Sequence, residues 1–337
     1  MLSTEELLRK AVLSATDGTA GAPANSNGDF GGSGEAALSI EQVTQFIELM
    51  AAQQVMLSEA QTKTSSAAKW NESILDMNGR IMKPGIEATR LTEGQRRKPN
   101  TGIVEISTVL GRAEIPVSDE TLEDNVAGAS IVASIQRLIA DQAGFDIEDL
   151  FVNGDTLSAD PWLALADGWL KQAVVGKVGA GRATPNTFSA ASFGKDYQAI
   201  FKKMLQSMPK RYLRNLKVNG RFYVPVTLEQ AWRDILASRV GPLGDLSLTQ
   251  SQDLTYQGVK VVPAPSFDAG IAEDDTCTIL LSANSNLYAG YHRAMKFETF
   301  RDPREGATSF IITCRVDPQV AVIDATVTAT AVDVSID

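Results

Sequence analysis

The sequence predicts an α+β protein in which runs of strands surround a few helices. One long amphipathic helix is predicted at about residues 119–143, and two shorter helices follow between residues 197 and 236. From about residue 256 onward, alternating and β-branched patterns indicate mostly strands. Because helices and strands occur in separate runs and not as regular βαβ units, an α+β architecture is expected.

The composition indicates a folded protein that does not bind the phosphate backbone of nucleic acids. Of 337 residues, 44% are hydrophobic and 21% charged, enough for two domain-sized units or one elongated subunit with excursions. The net charge of −10 argues against a protein that neutralises nucleic-acid phosphates, although ordinary solubility explains the same charge. His292 is the one histidine, so triads and imidazole metal sites are disfavoured.

Cysteine use and the absence of export signals predict a cytoplasmic protein. Cys277 and Cys314 lie far apart in strand-like segments and are expected to be buried free thiols. No charged segment precedes an apolar one at the N-terminus, and no apolar run reaches about 18 residues. We therefore expect neither export nor a membrane span.

The N-terminal part reads as an extended arm. Residues 3–15 predict a short helix, residues 16–37 a Gly-, Ala-, Ser- and Asn-rich linker, and Ser39 with Gln42 the start of a second helix. That second helix is expected to run into the low seventies. The arm would lie on neighbouring subunits or have a scaffold-like role, or it is an expendable tail.

Residues 79–112 predict a two-stranded excursion with a polar tip. Its distal part is basic, owing to Arg90, Arg96, Arg97 and Lys98. These side chains either dock on acidic groups of a neighbour or belong to a solvated tip.

The long helix has predicted boundaries and a predicted apolar stripe. Pro116 is expected to end the preceding strand, Ser118 to be the N-cap and Gly144 to stop the helix. Acidic residues fill its first turns, where the helix dipole favours them: Asp119, Glu120, Glu123 and Asp124. The apolar stripe comprises Ile131, Ile135, Leu138 and Ile139.

Downstream, a helix is predicted at 197–208 before Pro209, then a strand at Phe222 to Val226 and a helix capped by Thr227 and Gln230. Strands are predicted at 256–263, 276–282, 286–300 and 308–335, with a hairpin turn at 302–306. The Val-, Ala- and Thr-rich C-terminal part is expected to be able to pair with the arm or with another subunit.

The sequence lacks most of the residue patterns that are typical of catalytic, cofactor-binding and metal sites. Val178 follows Gly176-Lys177, so no phosphate-binding loop is predicted, and the glycines at 179 and 181 lack the third glycine of a dinucleotide fingerprint. The acidic residues Asp268, Glu273, Asp274 and Asp275 suggest a hard-cation site or, more simply, a solvated loop. No catalytic residue, cofactor or metal site is therefore predicted, and a carboxylate-dependent hydrolase is a distant alternative.

Several segments, in order, resemble the major capsid proteins of tailed bacteriophages with the Hong Kong 97 fold. The segments are IPVSDETLEDN, EDLFVNGD, FKKMLQSMPKRY, FYVPVTLEQAWRDILASR, LGDLSLTQSQDLTYQGVKVVPAPSF and ILLSANSNLYAGYHRAMKFETFRDP. The resemblance covers about residues 80–330 and rests on their order. It implies an arm at 1–78, an extended loop at 79–112, a peripheral domain with the spine helix at 113–190, an axial domain at 191–290, and strands returning to the peripheral domain at 291–337.

The resemblance also implies function and partners. The chain would form hexamers and pentamers of an icosahedral head shell around double-stranded DNA, assembled in the bacterial cytoplasm and retained in the virion. A portal protein, scaffold and decoration proteins are the implied partners, with weak, non-specific contact to the packaged DNA. The contact candidates are the basic residues of the extended loop and the acidic residues of the spine-helix start. An encapsulin-like nanocompartment shell is the alternative, because it shares the fold.

Overall fold

The computed structural model describes residues 54–76, 98–118, 129–176, 186–237, 254–272, 274–292 and 296–335, with single positions at 82, 90, 92, 93 and 96. Within these ranges the chain forms two sheets, a separate two-stranded ribbon, and helices packed on both sheets. The helices predicted at 3–15 and from Ser39, and the linker at 16–37, lie outside the described residues.

The described helices are α1 (Val55–Glu59), α2 (Ala129–Asn153), α3 (Trp169–Val175), α4 (Tyr197–Ser207), α5 (Leu213–Asn219), α6 (Val226–Ala237) and α7 (Pro265–Asp268). The strands are β1 (Gln61–Ser65), β2 (Lys69–Asp76), β3 (Asn100–Ser107), β4 (Val109–Ser118), β5 (Asn186–Ser189), β6 (Gly220–Val224), β7 (Thr255–Tyr256), β8 (Val259–Pro263), β9 (Thr276–Ala283), β10 (Leu287–His292), β11 (Lys296–Asp302), β12 (Ala307–Val320) and β13 (Thr326–Asp333).

The first sheet is organised around the long strand β12. The strand order is β1-β10-β12-β11, and β4 also pairs with β12, antiparallel from Ala307 opposite Ser118 to Val316 opposite Val109. One core of this part packs α1, α2 and α3 against the sheet, with Phe151, Trp169 and Val316 fully buried. This burial of apolar surface is the main stabilising contribution.

The second sheet has the order β5-β13-β9-β6-β8-β7 and a core of its own. Helix α4 covers it with the predicted face, since Ile200, Phe201 and Met204 are fully buried. The helix ends at Ser207, just before Pro209, as predicted. The turn at 302–306 is confirmed, and Gly306 adopts a positive φ of 59° there. The predicted strand runs are confirmed in part. A turn divides the run at 256–263 into β7 and β8, the run at 308–335 divides into β12 and β13 in different sheets, and the strand predicted to reach Val226 ends at Val224.

The structure corrects the predicted boundaries of the long helix. Gly144 does not stop α2, which continues to Asn153. The glycine at position 144 allows close packing, because a Cβ there would come within 3.2 Å of Gln54 Nε2. Without a side chain at this position, the segment before α1 can approach the helix. Ser118 is the last residue of β4, and residues 119–128, including the predicted acidic turns, lie outside the described part of the chain.

Pro116 does not end its strand. It lies within β4 opposite Ser309, which is tolerated because β4 pairs only with β12 among the described strands. A proline without an N–H group fits the unpaired side of such a strand.

The prediction that the second N-terminal helix continues into the low seventies is wrong for the residues that the structure describes. Residues 61–65 and 69–76 are strands, and only Val55–Glu59 is helical. Strand β1, QTKTS, pairs in parallel with β10, from Gln61 opposite Tyr288 to Ser65 opposite His292. β-Branched threonines favour such a strand, and tertiary pairing overrides the helical periodicity of the preceding residues.

The C-terminal strand β13 is not available for another subunit. It pairs with β5 on one side and with β9 on the other, inside the second sheet. Thr326, Val327, Thr328 and Ala329 are buried, so the segment is a central strand covered on both faces.

Candidate functional site

Strands β2 and β3 form an antiparallel ribbon that is fixed firmly at its base. The pairing runs from Lys69 opposite Ser107 to Asp76 opposite Asn100, so the first strand begins before the predicted start at residue 79. At the base, Ile106 is fully buried, and a Cβ on Gly290 of β10 would lie 2.6 Å from its Cγ2. The amide of Ser107 also donates to Asp317 Oδ2 at 2.7 Å.

One face of the ribbon presents apolar side chains to solvent. Leu75 and Ile103 are diagonal neighbours on this face and are 72% and 70% exposed. Exposed Asn71, Ser73 and Glu105 lie on the same face. The exposed aliphatic pair, on a ribbon that belongs to neither sheet, makes this face a candidate contact surface.

The predicted basic residues lie between the two ribbon strands in the sequence. Arg90, Arg96 and Lys98 are exposed, whereas Arg97 lies outside the described residues. Their predicted acidic partners, Asp119, Glu120, Glu123 and Asp124, also lie outside them. The docking of one set on the other therefore stays a prediction.

Helix α2 also has an exposed apolar side. Leu138 and Phe145, seven residues apart, are 67% and 46% exposed. Leu138 and Ile139 both belong to the predicted apolar stripe. Ile139 is buried together with Ala140 whereas Leu138 is exposed, which moves the core-facing side by about one position. The side chains of Ile131 and Ile135 are not among the described ones.

A buried carboxylate connects α2 to α1. Glu148 has no exposed surface, and its Oε2 accepts hydrogen bonds from the amides of Met56, at 3.1 Å, and Leu57, at 3.3 Å. Its Oε1 accepts from the hydroxyl of Ser266 in α7. The carboxylate therefore binds the first turn of α1, whose amides have no partners within the helix.

Burial raises the pKa of the Glu148 carboxyl above its ordinary value, and the bonds from Ser266 and the two amides oppose this shift. The helical spacing around Glu148 is a usable signal that the prediction missed. Glu148 follows Gly144 by four residues and precedes Phe151 by three, so it lies on the core-facing side of the helix.

Helix α7 joins the two cores. The side-chain amide of Asn153, the last residue of α2, donates to Ser266 O at 2.6 Å. Asp268 accepts from the amides of Val226, at 2.8 Å, and Thr227, at 3.2 Å, and from the Thr227 hydroxyl at 3.0 Å. The predicted local cap at Thr227 and Gln230 is therefore wrong, because helix α6 starts at Val226 and is capped from α7.

Replacing Asp268 with alanine is expected to destabilise the protein by about 1–2 kcal/mol, because the N-terminus of α6 loses its cap. Urea unfolding followed by circular dichroism measures this change. Asp274→Ala removes an exposed acid from the following segment and is the control, with an expected change within about 0.5 kcal/mol. Equal losses in both variants would contradict the capping role.

The two cysteines and the histidine are buried in the fold. Cys277 and Cys314 are buried free thiols, as predicted, and burial raises the pKa of Cys277 to about 12 and that of Cys314 to about 11. His292 is buried at the end of β10. Among the described residues, no group of three or more His, Cys, Asp or Glu side chains is placed to hold a metal.

The part of the chain that the structure describes contains no helix with the length and apolar character needed to cross a bilayer.

Comparison with known proteins decides the family. The chain is 31% identical to the prophage capsid protein YqbE of Bacillus subtilis (strain 168) over 242 residues, which are 71% of this chain and 74% of that protein. The chain belongs to the phage capsid protein family. None of the protein-family profiles compared with this capsid protein matches it.

Solved structures confirm the fold of the capsid protein. The procapsid of satellite phage P4 that includes the size determination (Sid) protein has a TM-score of 0.65 at 14% identity, covering 99% of this chain and 100% of that chain. The capsid of a native GTA particle has a TM-score of 0.56 at 14% identity, covering 94% and 98%. The holo-SrpI encapsulin complex from Synechococcus elongatus PCC 7942 is a weaker neighbour, with a TM-score of 0.51 at 12% identity, covering 82% and 86%.

Proposed function

We propose that this chain is the major capsid protein that assembles, as hexamers and pentamers, into the icosahedral head shell of a tailed phage or prophage. The sequence relationship to a prophage capsid protein, together with a capsid fold over nearly the whole chain, supports this function. The mature protein belongs to the virion, and its assembly takes place in the cytoplasm of the bacterial host. Its role is structural and not catalytic.

The proposed domains follow the two sheets. The ribbon β2–β3 is the base of the extended loop, and its first strand begins at Lys69, before the loop's predicted start at residue 79. The first sheet with α2 is the peripheral domain, which also takes β1 and β10 to β12 from outside residues 113–190. The second sheet with α4, α5 and α6 is the axial domain, which also takes β5 and β13 from outside residues 191–290.

The ribbon supplies contacts between subunits in this proposal. Its exposed face with Leu75 and Ile103 seats on the adjacent subunit, and the basic tip with Arg90, Arg96, Arg97 and Lys98 approaches the acidic helix start of that neighbour. Opposite charges on the two surfaces favour correct register and association more than affinity. Many modest contacts of this kind suit reversible, error-correcting assembly.

Other partners follow from the same role. A portal protein occupies one vertex, a scaffold guides the shell, and a decoration protein is a further possible ligand. The net charge of −10 keeps contact with packaged double-stranded DNA weak and non-specific, since like charges repel. An encapsulin-like shell is the second candidate, favoured only by the shared fold of the weaker neighbour.

Replacing both Leu75 and Ile103 with aspartate is expected to raise the subunit concentration needed for shell formation by about tenfold or more. Each aliphatic side chain contributes about 1–2 kcal/mol when a neighbour buries it, and 1.4 kcal/mol corresponds to tenfold. Light scattering and negative-stain microscopy of the protein expressed alone, with any co-expressed scaffold as a second condition, measure this threshold.

The matched control is Asn71→Asp with Ser73→Asp, which adds the same charge to the same face without removing apolar surface. Both double variants are expected to unfold in urea like the parent protein. A similar loss of assembly in both would mean that added charge, and not the apolar pair, is responsible.

A further inference from the structure

An open groove of about 550 Å³ lies on the axial part of the subunit, between α4, α5 and the turn from β7 to β8. Its floor is apolar, with Met208, Leu216 and Val259 each 3% exposed. Three exposed lysines line its rim: Lys202, Lys210 and Lys217. Among the described residues, none of these three lysines makes an ion pair.

The groove belongs to an unusually basic stretch of an acidic protein. Residues 197–228 contain no Asp or Glu and seven basic residues: Lys202, Lys203, Lys210, Arg211, Arg214, Lys217 and Arg221. Arg211 and Arg221 pair with Asp324 and Glu59. The whole chain carries a net charge of −10, so the remaining positive charge in this stretch attracts acidic groups.

The chemistry of the groove fits an amphipathic helix with acidic flanks. An apolar floor accepts the apolar face of such a helix, and the lysine rim pairs with its carboxylates. A nucleic acid would pair with the lysines but would leave the apolar floor without a partner. The groove therefore favours a peptide over DNA.

A segment with this chemistry lies immediately before the described part of the chain. Apolar residues at helical spacing, Ile40, Val43, Ile47 and Met50, accompany Glu41 and Glu48. From residue 16 to residue 54 the chain has five acidic residues and no Lys or Arg.

The end of the first described helix lies beside the residues that follow α5, a helix that lines the groove. Glu59, at the end of α1, pairs with Arg221 at 3.3 Å, and Arg221 follows α5 after two residues. Arg221 Nη1 also donates to Val218 O of α5 at 3.2 Å. A fifteen-residue helix is about 22 Å long.

We propose that the groove receives residues 39–53 of the same copy of the chain as an acidic amphipathic helix. The docked segment would cover the apolar floor, and its carboxylates would neutralise the lysine rim. This inference concerns the single subunit, so it can fail without affecting the proposed shell function, and the reverse also holds.

Photo-cross-linking of the purified full-length subunit tests the contact. With p-benzoylphenylalanine in place of Lys210, irradiation is expected to yield cross-links within one chain to peptides from residues 39–53, identified by mass spectrometry. Placing the same group at Lys203, which is exposed on α4 but does not line the groove, is the control and should give no such peptide.

Charge reversal tests the electrostatic part. In the Lys210 probe protein, K202E with K217E is expected to lower the yield of that cross-link by about fivefold or more, because two attractions become repulsions. K203E should change the yield by less than about twofold, and adding E41K with E48K to K202E and K217E should restore it.

Three results would overturn the proposal. Cross-links only between two copies would assign the segment to a neighbouring subunit. Cross-links from the groove to co-purified nucleic acid would mean that the lysines bind nucleic acid. Cross-links to residues outside 39–53, or to no residue, would leave the groove without this occupant.

Discussion

Replacement of Gln142 with proline is expected to abolish shell formation. Gln142 lies in the middle of α2, and its exposed side chain donates to Asp146 Oδ1 at 2.9 Å. A proline there removes one backbone hydrogen bond and clashes with the preceding turn, at a cost of about 3 kcal/mol or more. The resulting kink would separate the half of the helix before residue 142 from the half that carries Glu148 and Phe151.

Negative-stain microscopy and urea unfolding measure the two consequences of this change. Gln142→Ala removes the same side-chain contact without breaking the helix, and it should assemble normally with a stability change within about 0.5 kcal/mol. Normal particles from the proline variant would show that assembly tolerates a broken α2.

Replacement of Glu148 with alanine is expected to destabilise the subunit by about 3 kcal/mol. It leaves two buried amides and the Ser266 hydroxyl without their acceptor and opens a small cavity, and these costs outweigh the relief of a buried charge. Limited proteolysis should then cut near α1 faster than in the parent protein. Asp146→Ala, an exposed acid on the same helix, is the control.

The pH profile distinguishes the charge of Glu148 from its shape. Because burial raises the pKa in the folded state, the folded protein binds this proton at higher pH than the unfolded chain does. The free energy of unfolding of the parent protein should therefore fall, relative to Glu148→Gln, as the pH rises from about 4.5 through the raised pKa. Parallel profiles for the two proteins would contradict a titrating carboxyl at this position.

Local patterns predicted the elements whose partners are near in sequence. The apolar spacing of Ile200, Phe201 and Met204 together with Pro209 predicted α4, and alternation with turn residues predicted the hairpin β11–β12. The family resemblance predicted the fold, because the order of several weak segments carries more information than any one motif.

Features that depend on distant partners could not be predicted from local sequence. Gly144 resembles a helix stop, but its role depends on Gln54, and the cap of α6 comes from Asp268, about forty residues away. The segment TKTS has weak preferences of its own and becomes a strand because β10 is beside it. The apolar ribbon face was missed because Leu75 lies between the helix predicted to run into the low seventies and the two-stranded excursion predicted to begin at residue 79.

The long-range pairing of both sheets has a consequence for folding kinetics. Thr187 of β5 bonds to Thr328 of β13, 141 residues later, and Ser107 bonds to Asp317, 210 residues later. Chains dominated by such contacts fold slowly, because distant segments must meet before they gain stabilising interactions. Assembly-competent subunits would therefore accumulate gradually. Because few free subunits would be present at any time, the growth of existing shells would be favoured over the nucleation of many partial ones.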